Sequence, residues 1–236
     1  MSLEVLALVA VVVAVAAFVQ GSSGLGFALI VAPVVGIVAP ATLPVFLLAV
    51  MIPLNLYVAW RERAALDLRG AGWITVARLA ATPAGLLLLM AVPDRHLGLL
   101  VGGATVLAAA VSLVAPSFTP GRAAYLTAGA VTGLTETATG VGGPPLALVY
   151  QHRPPAELRA TVAVCFLAGE VASLAALFAF GQARADQLTP ALLAVPAVVV
   201  GVWLSRLTHR HLNAARMRIT VLVFALVSGG VLMLGP

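Results

Sequence analysis

The chain has no lysine, a single cysteine and little charge of either sign. Charged residues make up 9% of its 236 positions, against about 25% in an average soluble domain. That scarcity excludes a water-soluble fold, because much of any globular surface must face water. The lone Cys165 excludes an internal disulfide and carries no redox information. There is no Walker phosphate loop, no Rossmann glycine fingerprint and no nucleophile elbow. An enzyme is therefore not expected, and an ATP-driven pump would need a separate subunit. His96, His152, His209 and His211 fall near segment ends without partners at metal-ligand spacing, so neither a metal nor another cofactor is expected. The ten-residue alternation of an outer-membrane barrel strand is also missing.

What is present is apolar and comes in blocks. Hydrophobic residues are 62% of the chain, and ten segments stand out: 3–19, 24–38, 41–60, 71–92, 97–115, 122–135, 143–151, 158–180, 188–206 and 216–235. Most approach the ~20 residues that cross a ~30 Å hydrocarbon core, and backbone groups in lipid must be satisfied internally, which makes them helices. The second and seventh look short for a full crossing. Each follows a Gly-rich break and either spans or forms a re-entrant hairpin with its predecessor. Residues 3–19 lack the basic n-region of a signal peptide, and Glu4 is acidic, so the segment is expected to stay in the mature protein. Trp60, Trp73 and Trp203 lie near segment ends, as interfacial aromatics do.

All thirteen basic residues are arginine, and the net charge is +5. Their placement reads as topology, not as a nucleic-acid surface. Arg61, Arg63, Arg69, Arg122, Arg153, Arg159, Arg206, Arg210, Arg216 and Arg218 fall on one side; Arg95 and Arg184 fall on the other. The ten-Arg side should be cytoplasmic, which places both termini on the periplasmic or external side of an inner membrane.

The chain also repeats. Gly24-Leu25-Gly26 returns as Gly140-Val141-Gly142 and Gly85 as Gly201, both at an offset of 116. Gln20 lands on Glu136 at that offset, and Asn55 on Glu170 at 115. Each half has an odd number of crossings, so the second is inverted relative to the first. The expected fold is an all-α, polytopic membrane bundle of two inverted repeats, residues 1–115 and 122–236, joined by a short cytoplasmic linker at 116–121. Each repeat carries a Gly-rich broken helix or re-entrant hairpin, an architecture with its binding site at the repeat interface near mid-membrane.

The breaks are the main candidate site. Gly lets the chain leave helical geometry, and the next helix start offers free N–H groups that favour an anion. Hydroxyls of Ser22, Ser23, Thr135, Thr137 and Thr139 could add donors. The candidate substrate-binding set is therefore Gln20, Ser22, Ser23, Gly24, Gly26, Asn55, Thr135, Thr137, Thr139, Gly140 and Gly142, with packing glycines and helix kinks as the alternative. Glu136, expected in hydrocarbon, should be protonated, paired or facing a wet cavity. Glu136 and Glu170 are candidates for proton coupling; Glu170 and Asn55 could equally be interhelical polar contacts. Arg78, about two turns into the fourth segment, is expected to snorkel to the cytoplasmic face; the alternatives are an ion pair with a buried Glu or attraction of an anion. Asp67, Glu157 and Asp186 are expected to cap helices.

Phe18-Val19-Gln20-Gly21 running into Gly24-Leu25-Gly26-Phe27-Ala28 and Pro33, then Pro53-Leu54-Asn55-Leu56 with Arg61 and Asp67, resembles the TauE/SafE sulfite-exporter family. The second half adds Thr139-Gly140-Val141-Gly142-Gly143-Pro144-Pro145, Leu158-Arg159-Ala160-Thr161, Gly201 to Arg206, and Ser228-Gly229-Gly230. The resemblance implies movement of a small sulfur-containing anion, such as sulfite or an organosulfonate, across the cytoplasmic membrane. Two positions depart from the pattern: Glu136 stands where a small or hydroxyl residue is usual, and Glu170 where Asn is expected. The implied partners are a small anion and the bilayer, not nucleic acid; a homo-oligomer is compatible with the sequence. A passive anion channel, or a cation carrier using the two glutamates, are the alternatives to a carrier.

Overall fold

The computed structural model describes residues 3–114, 120–150, 153–208 and 214–234, with the side chains of 94, 208 and 214–218 outside that description. The expectations for His152, His209, Arg210, His211, the Arg216 and Arg218 side chains and most of the 116–121 linker therefore lie outside the described residues.

All ten apolar segments are helices, and no strand occurs among the described residues. They are α1 (Leu3–Ser23), α2 (Phe27–Val38), α3 (Val45–Arg61), α4 (Leu68–Ala91), α5 (Leu97–Val114), α6 (Arg122–Thr139), α7 (Gly143–Tyr150), α8 (Pro155–Ala179), α9 (Leu188–Thr208) and α10 (Ala214–Leu234). Helices α1, α4, α5 and α8, and the stretch Ala185–Leu207 that includes all of α9 but its last residue, are long and apolar enough to cross a membrane. Large apolar side chains such as Val11, Leu87, Leu107, Val199 and Val227 stand exposed. Contiguous apolar surface of this kind suits lipid rather than water. At 1.5 Å per residue, α2 reaches about 18 Å and α7 about 12 Å, so neither covers a ~30 Å core alone.

Helices α3 and α8 pair at the centre. Around them α1 packs on α9 and α4 on α6, while α2 and α7 both pack against α5, and α10 packs on α2 and α5. Missing side chains set the closest approaches. A Cβ at Gly85 would fall 2.5 Å from Leu134 O on α6, and one at Gly201 would fall 2.2 Å from Ala14 O on α1. Small residues are how membrane helices bring backbones this close.

Helices α1 and α6 each run one turn beyond their apolar segments. The Ser22 and Ser23 hydroxyls return to Phe18 O and Val19 O, both at 2.8 Å, and the Thr139 hydroxyl returns to Thr135 O at 2.7 Å. These polar side chains are thus satisfied within the helix. The breaks follow at Gly24 (φ 89°), Gly26 (φ 112°) and Gly140 (φ 78°), in the left-handed region that glycine enters without a Cβ penalty.

One end of the bundle gathers the arginines. Arg61 and Arg159 share Glu62, Arg122 lies 4.0 Å from the centre of the Trp73 ring, and Arg153 pairs with Glu157 at 3.7 Å. Asp67 caps α4 there, accepting from Gly70 N at 2.9 Å. At the opposite end Arg184 binds Asp186.

Candidate functional site

Five helices converge on a belt of fully buried polar groups. Gln20 of α1 donates through Nε2 to Asn55 Oδ1 of α3 at 3.1 Å. Asn55 in turn donates through Nδ2 to Glu170 Oε1 of α8 at 2.6 Å. Gln20 Oε1 accepts from Phe27 N at 3.1 Å, so one carboxamide joins the start of α2 to the belt. Burial of such groups is tolerated only when they are hydrogen-bonded.

Beside this chain, Arg78 of α4 donates from Nη2 to Glu136 Oε2 of α6 and from Nη1 to Cys165 O of α8 at 2.7 Å. Its side chain has no exposure. The expected snorkelling of Arg78 is therefore corrected. The guanidinium turns inward because Glu136 supplies a counter-charge, and because Gly169 leaves it room: a Cβ there would fall 1.7 Å from Arg78 Nε. Its outer face covers the Phe166 ring, 5.3 Å from the centroid. Three buried atoms in this cluster have no hydrogen-bond partner: Arg78 Nε, Glu136 Oε1 and Glu170 Oε2.

The remaining candidates divide. Thr137 shares a 2.7 Å hydrogen bond with Ser173 of α8, inside the core. Ser22 reaches Ser205 of α9 at 3.1 Å. Ser23 and Thr139 serve the breaks themselves, accepting from Leu25 N at 3.3 Å and Val141 N at 3.1 Å. Thr135 points away from the belt and bonds Val131 O at 2.9 Å. Gly142 lies against Glu136: a Cβ would fall 2.8 Å from the Glu136 Cβ. Thr132 also binds Gly142 O at 3.0 Å, so the second break folds back over the carboxylate. Gly24 packs tightly on Leu158 and Arg159 of α8, Gly26 lies near Val19 and Val221, and Gly140 fits against Leu47 of α3.

A cavity of about 320 Å³ reaches the belt from the arginine-rich end. Gln20, Ser22, Ser23 and Gly26 of the first break face it, with Arg153 at its mouth and Phe166 on its wall. Asn55, Glu136, Glu170 and the second-break threonines do not line it. Above the first break, Arg61 donates to Gly21 O at 3.1 Å and Arg159 to Ser22 O at 3.4 Å. Both guanidiniums suit the negative end of α1, and Glu62 ties them together. Burial pushes the Glu62 carboxyl up, but the hydrogen bond and charge of Arg159, with Arg61, outweigh it and hold Glu62 below its ordinary range.

Phe166 and Gly169 are not singled out by the sequence, and the ion pair of Arg78 with a buried Glu, there an alternative to snorkelling, is the arrangement found. The usable signal was a count: one arginine and two glutamates deep in apolar segments must find one another. Among the described residues no cluster of His, Cys, Asp and Glu could hold a metal ion.

The family model described as "Sulfite exporter TauE/SafE" matches residues 8–232, nearly the whole chain. Comparison with curated proteins and with solved structures finds no match.

Proposed function

Because the chain belongs to the TauE/SafE sulfite exporter family, a family of membrane transporters rather than enzymes, we propose that it is a secondary transporter. It moves a small, sulfur-containing anion, sulfite or an organosulfonate, across the cytoplasmic membrane by alternating access. The observation that carries this reading is the buried polar belt, reached by a cavity from one end of the bundle. The space at the other end, lined by Leu43, Pro44, Leu97 and Ala138 among others, is only about 10 Å³. That asymmetry suits a carrier open to one side, the arginine-rich and hence cytoplasmic side.

Residues 1–115 and 122–236 act as inverted halves about the 116–121 linker, with α2 and α7 as the re-entrant arms. The packing supports this: α1 on α9 has its counterpart in α6 on α4, α3 on α9 in α8 on α4, and α2 on α10 in α7 on α5. Gln20 and Glu136 stand at equivalent points of the two breaks, and Asn55 and Glu170, also equivalent, bond each other across the centre. The substrate binds between the halves, where Gln20 and the first-break groups Ser22, Ser23, Gly24 and Gly26 meet Asn55. The second-break residues Thr135, Thr137, Thr139, Gly140 and Gly142 form the counterpart seen from outside. Glu136 and Glu170 are the proton-coupling groups.

Counterflow in proteoliposomes tests this. Vesicles are preloaded with unlabelled sulfite, thiosulfate, methanesulfonate or acetate and offered labelled sulfite or methanesulfonate, with and without a pH gradient. Saturable accumulation driven by a sulfur anion supports the carrier. Unsaturable flux without counterflow means a channel, and no flux of any sulfur anion in folded protein removes the substrate assignment.

A further inference from the structure

Charge in the belt is unbalanced. Arg78 is the one basic side chain with no exposure among the described residues, and two buried carboxylates, Glu136 and Glu170, stand near it. With all three ionised, one negative charge is in excess; with one proton on a carboxyl the belt is neutral. A neutral belt suits hydrocarbon surroundings, where an unpaired charge is costly.

The geometry also leaves capacity for a guest. Arg78 Nε has no partner, nor do Glu136 Oε1 and Glu170 Oε2. A guanidinium presents a planar fork that fits two oxygens of one oxyanion, and at present Glu136 occupies that position with a single oxygen. Between this ion pair and the cavity stands the Phe166 ring, which lines the cavity on one side and carries the Arg78 guanidinium on the other. Gly143 approaches the ring edge, where a Cβ would fall 3.8 Å from Cζ. Phe166, itself buried, therefore sits between the two sides, and on the α7 side its tip meets the side-chain-free Gly143 at ordinary contact distance.

We propose that, beyond the first-break groups that receive it, the transported anion is bound by Arg78, that Glu136 is its exchangeable counter-ion, and that Phe166 is the partition that swings aside to admit the anion from the cavity. This rests on the transport reading above. The exchange balances as follows. A proton from water adds to the Glu136 carboxylate, the Arg78–Glu136 ion pair opens, and one oxyanion takes the vacated place on Arg78, which stays protonated throughout. The charge of the belt is unchanged for a monovalent anion, so one proton is taken up with each such anion bound. Binding at Arg78 and protonation of Glu136 then favour one another, which couples the two fluxes.

Other titratable groups facing α6 are accounted for. Of the helices packed on α6, α8 carries Glu170 in the core, Cys165 turned toward α4, and Glu157 and Arg159 bound to Arg153 and Glu62; α4 carries Arg69 at its first turn, and α6 itself Arg122 against Trp73. Tyr150 of α7 is committed to Asp67 Oδ2 at 2.9 Å. Tyr125, on α6 itself, packs on Tyr150, and α5 carries no titratable residue.

The test uses the full chain in proteoliposomes, with sulfite, thiosulfate and methanesulfonate as probes; the last is a monoanion across the whole pH range. Uptake of about one proton per methanesulfonate bound is expected in wild type; where only thiosulfate or sulfite is carried, the ratio is read for that ion by its charge. Anion binding without proton uptake overturns the exchange. In Glu136→Gln, Arg78 has lost its competitor. Counterflow should persist with a half-saturation lowered about tenfold and flat between pH 6 and 8, while accumulation driven by a pH gradient is lost. A Glu136→Gln protein with the wild-type pH profile overturns the proposal. Arg78→Gln should abolish saturable binding; a folded Arg78→Gln with wild-type half-saturation refutes Arg78 as the anion residue. Phe166→Ala should raise the rate at which bound anion exchanges. Failure of the wild type to carry any probe would instead remove the transport reading on which this rests.

Discussion

At Gly169 an added Cβ would fall 1.7 Å from Arg78 Nε, so Gly169→Ala must push the guanidinium off Cys165 O or off Glu136. On helix propensity alone the change should stabilise α8 by about 1 kcal/mol. Displacing a buried, hydrogen-bonded charge costs more, about 3 kcal/mol or above. The expected outcome is a lower midpoint in a thermal melt of detergent-solubilised protein, together with lost transport; a raised midpoint would show that Arg78 has somewhere else to go. The same position shows why this part of the site was hidden in the sequence. The sequence places Arg78 about two turns into its segment and favours snorkelling over an ion pair with a buried Glu, without saying which Glu is in reach. Glu136 lies on a different helix, and nothing local to Gly169 says that it faces a guanidinium. The hydroxyls were hidden for the opposite reason. Ser22, Ser23 and Thr139 looked like free donors near a break, yet each turns back on a carbonyl of its own helix, a contact that sequence cannot rank against a ligand.

Among the elements, the helices themselves were legible because apolar blocks and their breakers alternate along the chain. The ends of α1 and α6 moved outward by a turn, since a Gly-Ser or Thr-rich turn reads as a stop while its side chains in fact complete the helix; the starts of α2, α3, α4 and α8 also shifted by three or four residues. The tie between elements at the arginine-rich end was less visible: Arg61 on α3 and Arg159 on α8 both hold the last carbonyls of α1, with Glu62 between them. This tie has a defined pH signature. A carboxyl held below its ordinary range adds stability at pH values above that range, and loses it only as pH falls through the lowered folded value. Between pH 8 and 5 the Glu62 contribution should therefore be constant. Glu62→Gln should lower the melting midpoint by a similar margin at both pH values, corresponding to about 1–3 kcal/mol for lost charge-assisted hydrogen bonds. A variant indistinguishable from wild type at pH 5 but weaker at pH 8 would mean that Glu62 titrates inside that window.

For the molecule as a whole, charge placement decides orientation. The turn between α3 and α4 and the helix ends beside it carry Arg61, Arg63 and Arg69, and the turn between α8 and α9 carries Arg184 beside Asp186. Cysteines placed at Ala64 and at Gly181, in a Cys165→Ser background, should label from opposite faces of sealed vesicles, position 64 from the cytoplasmic face. Labelling of both from one face would break the alternation of crossings on which the inverted halves depend.

Cys165 gives this protein a clock of its own. The backbone of that residue holds Arg78 through its carbonyl. Its thiol is sealed at the seam between α4 and α8, 3.9 Å from Ala71 O and 4.0 Å from the Thr75 hydroxyl. No other thiol occurs in the chain. A membrane-permeant maleimide can reach it only while that seam is parted, so the modification rate of the unaltered protein times the parting of the two helices. Addition of a transported anion should change that rate; an unchanged rate during turnover would mean that the seam stays shut through the cycle.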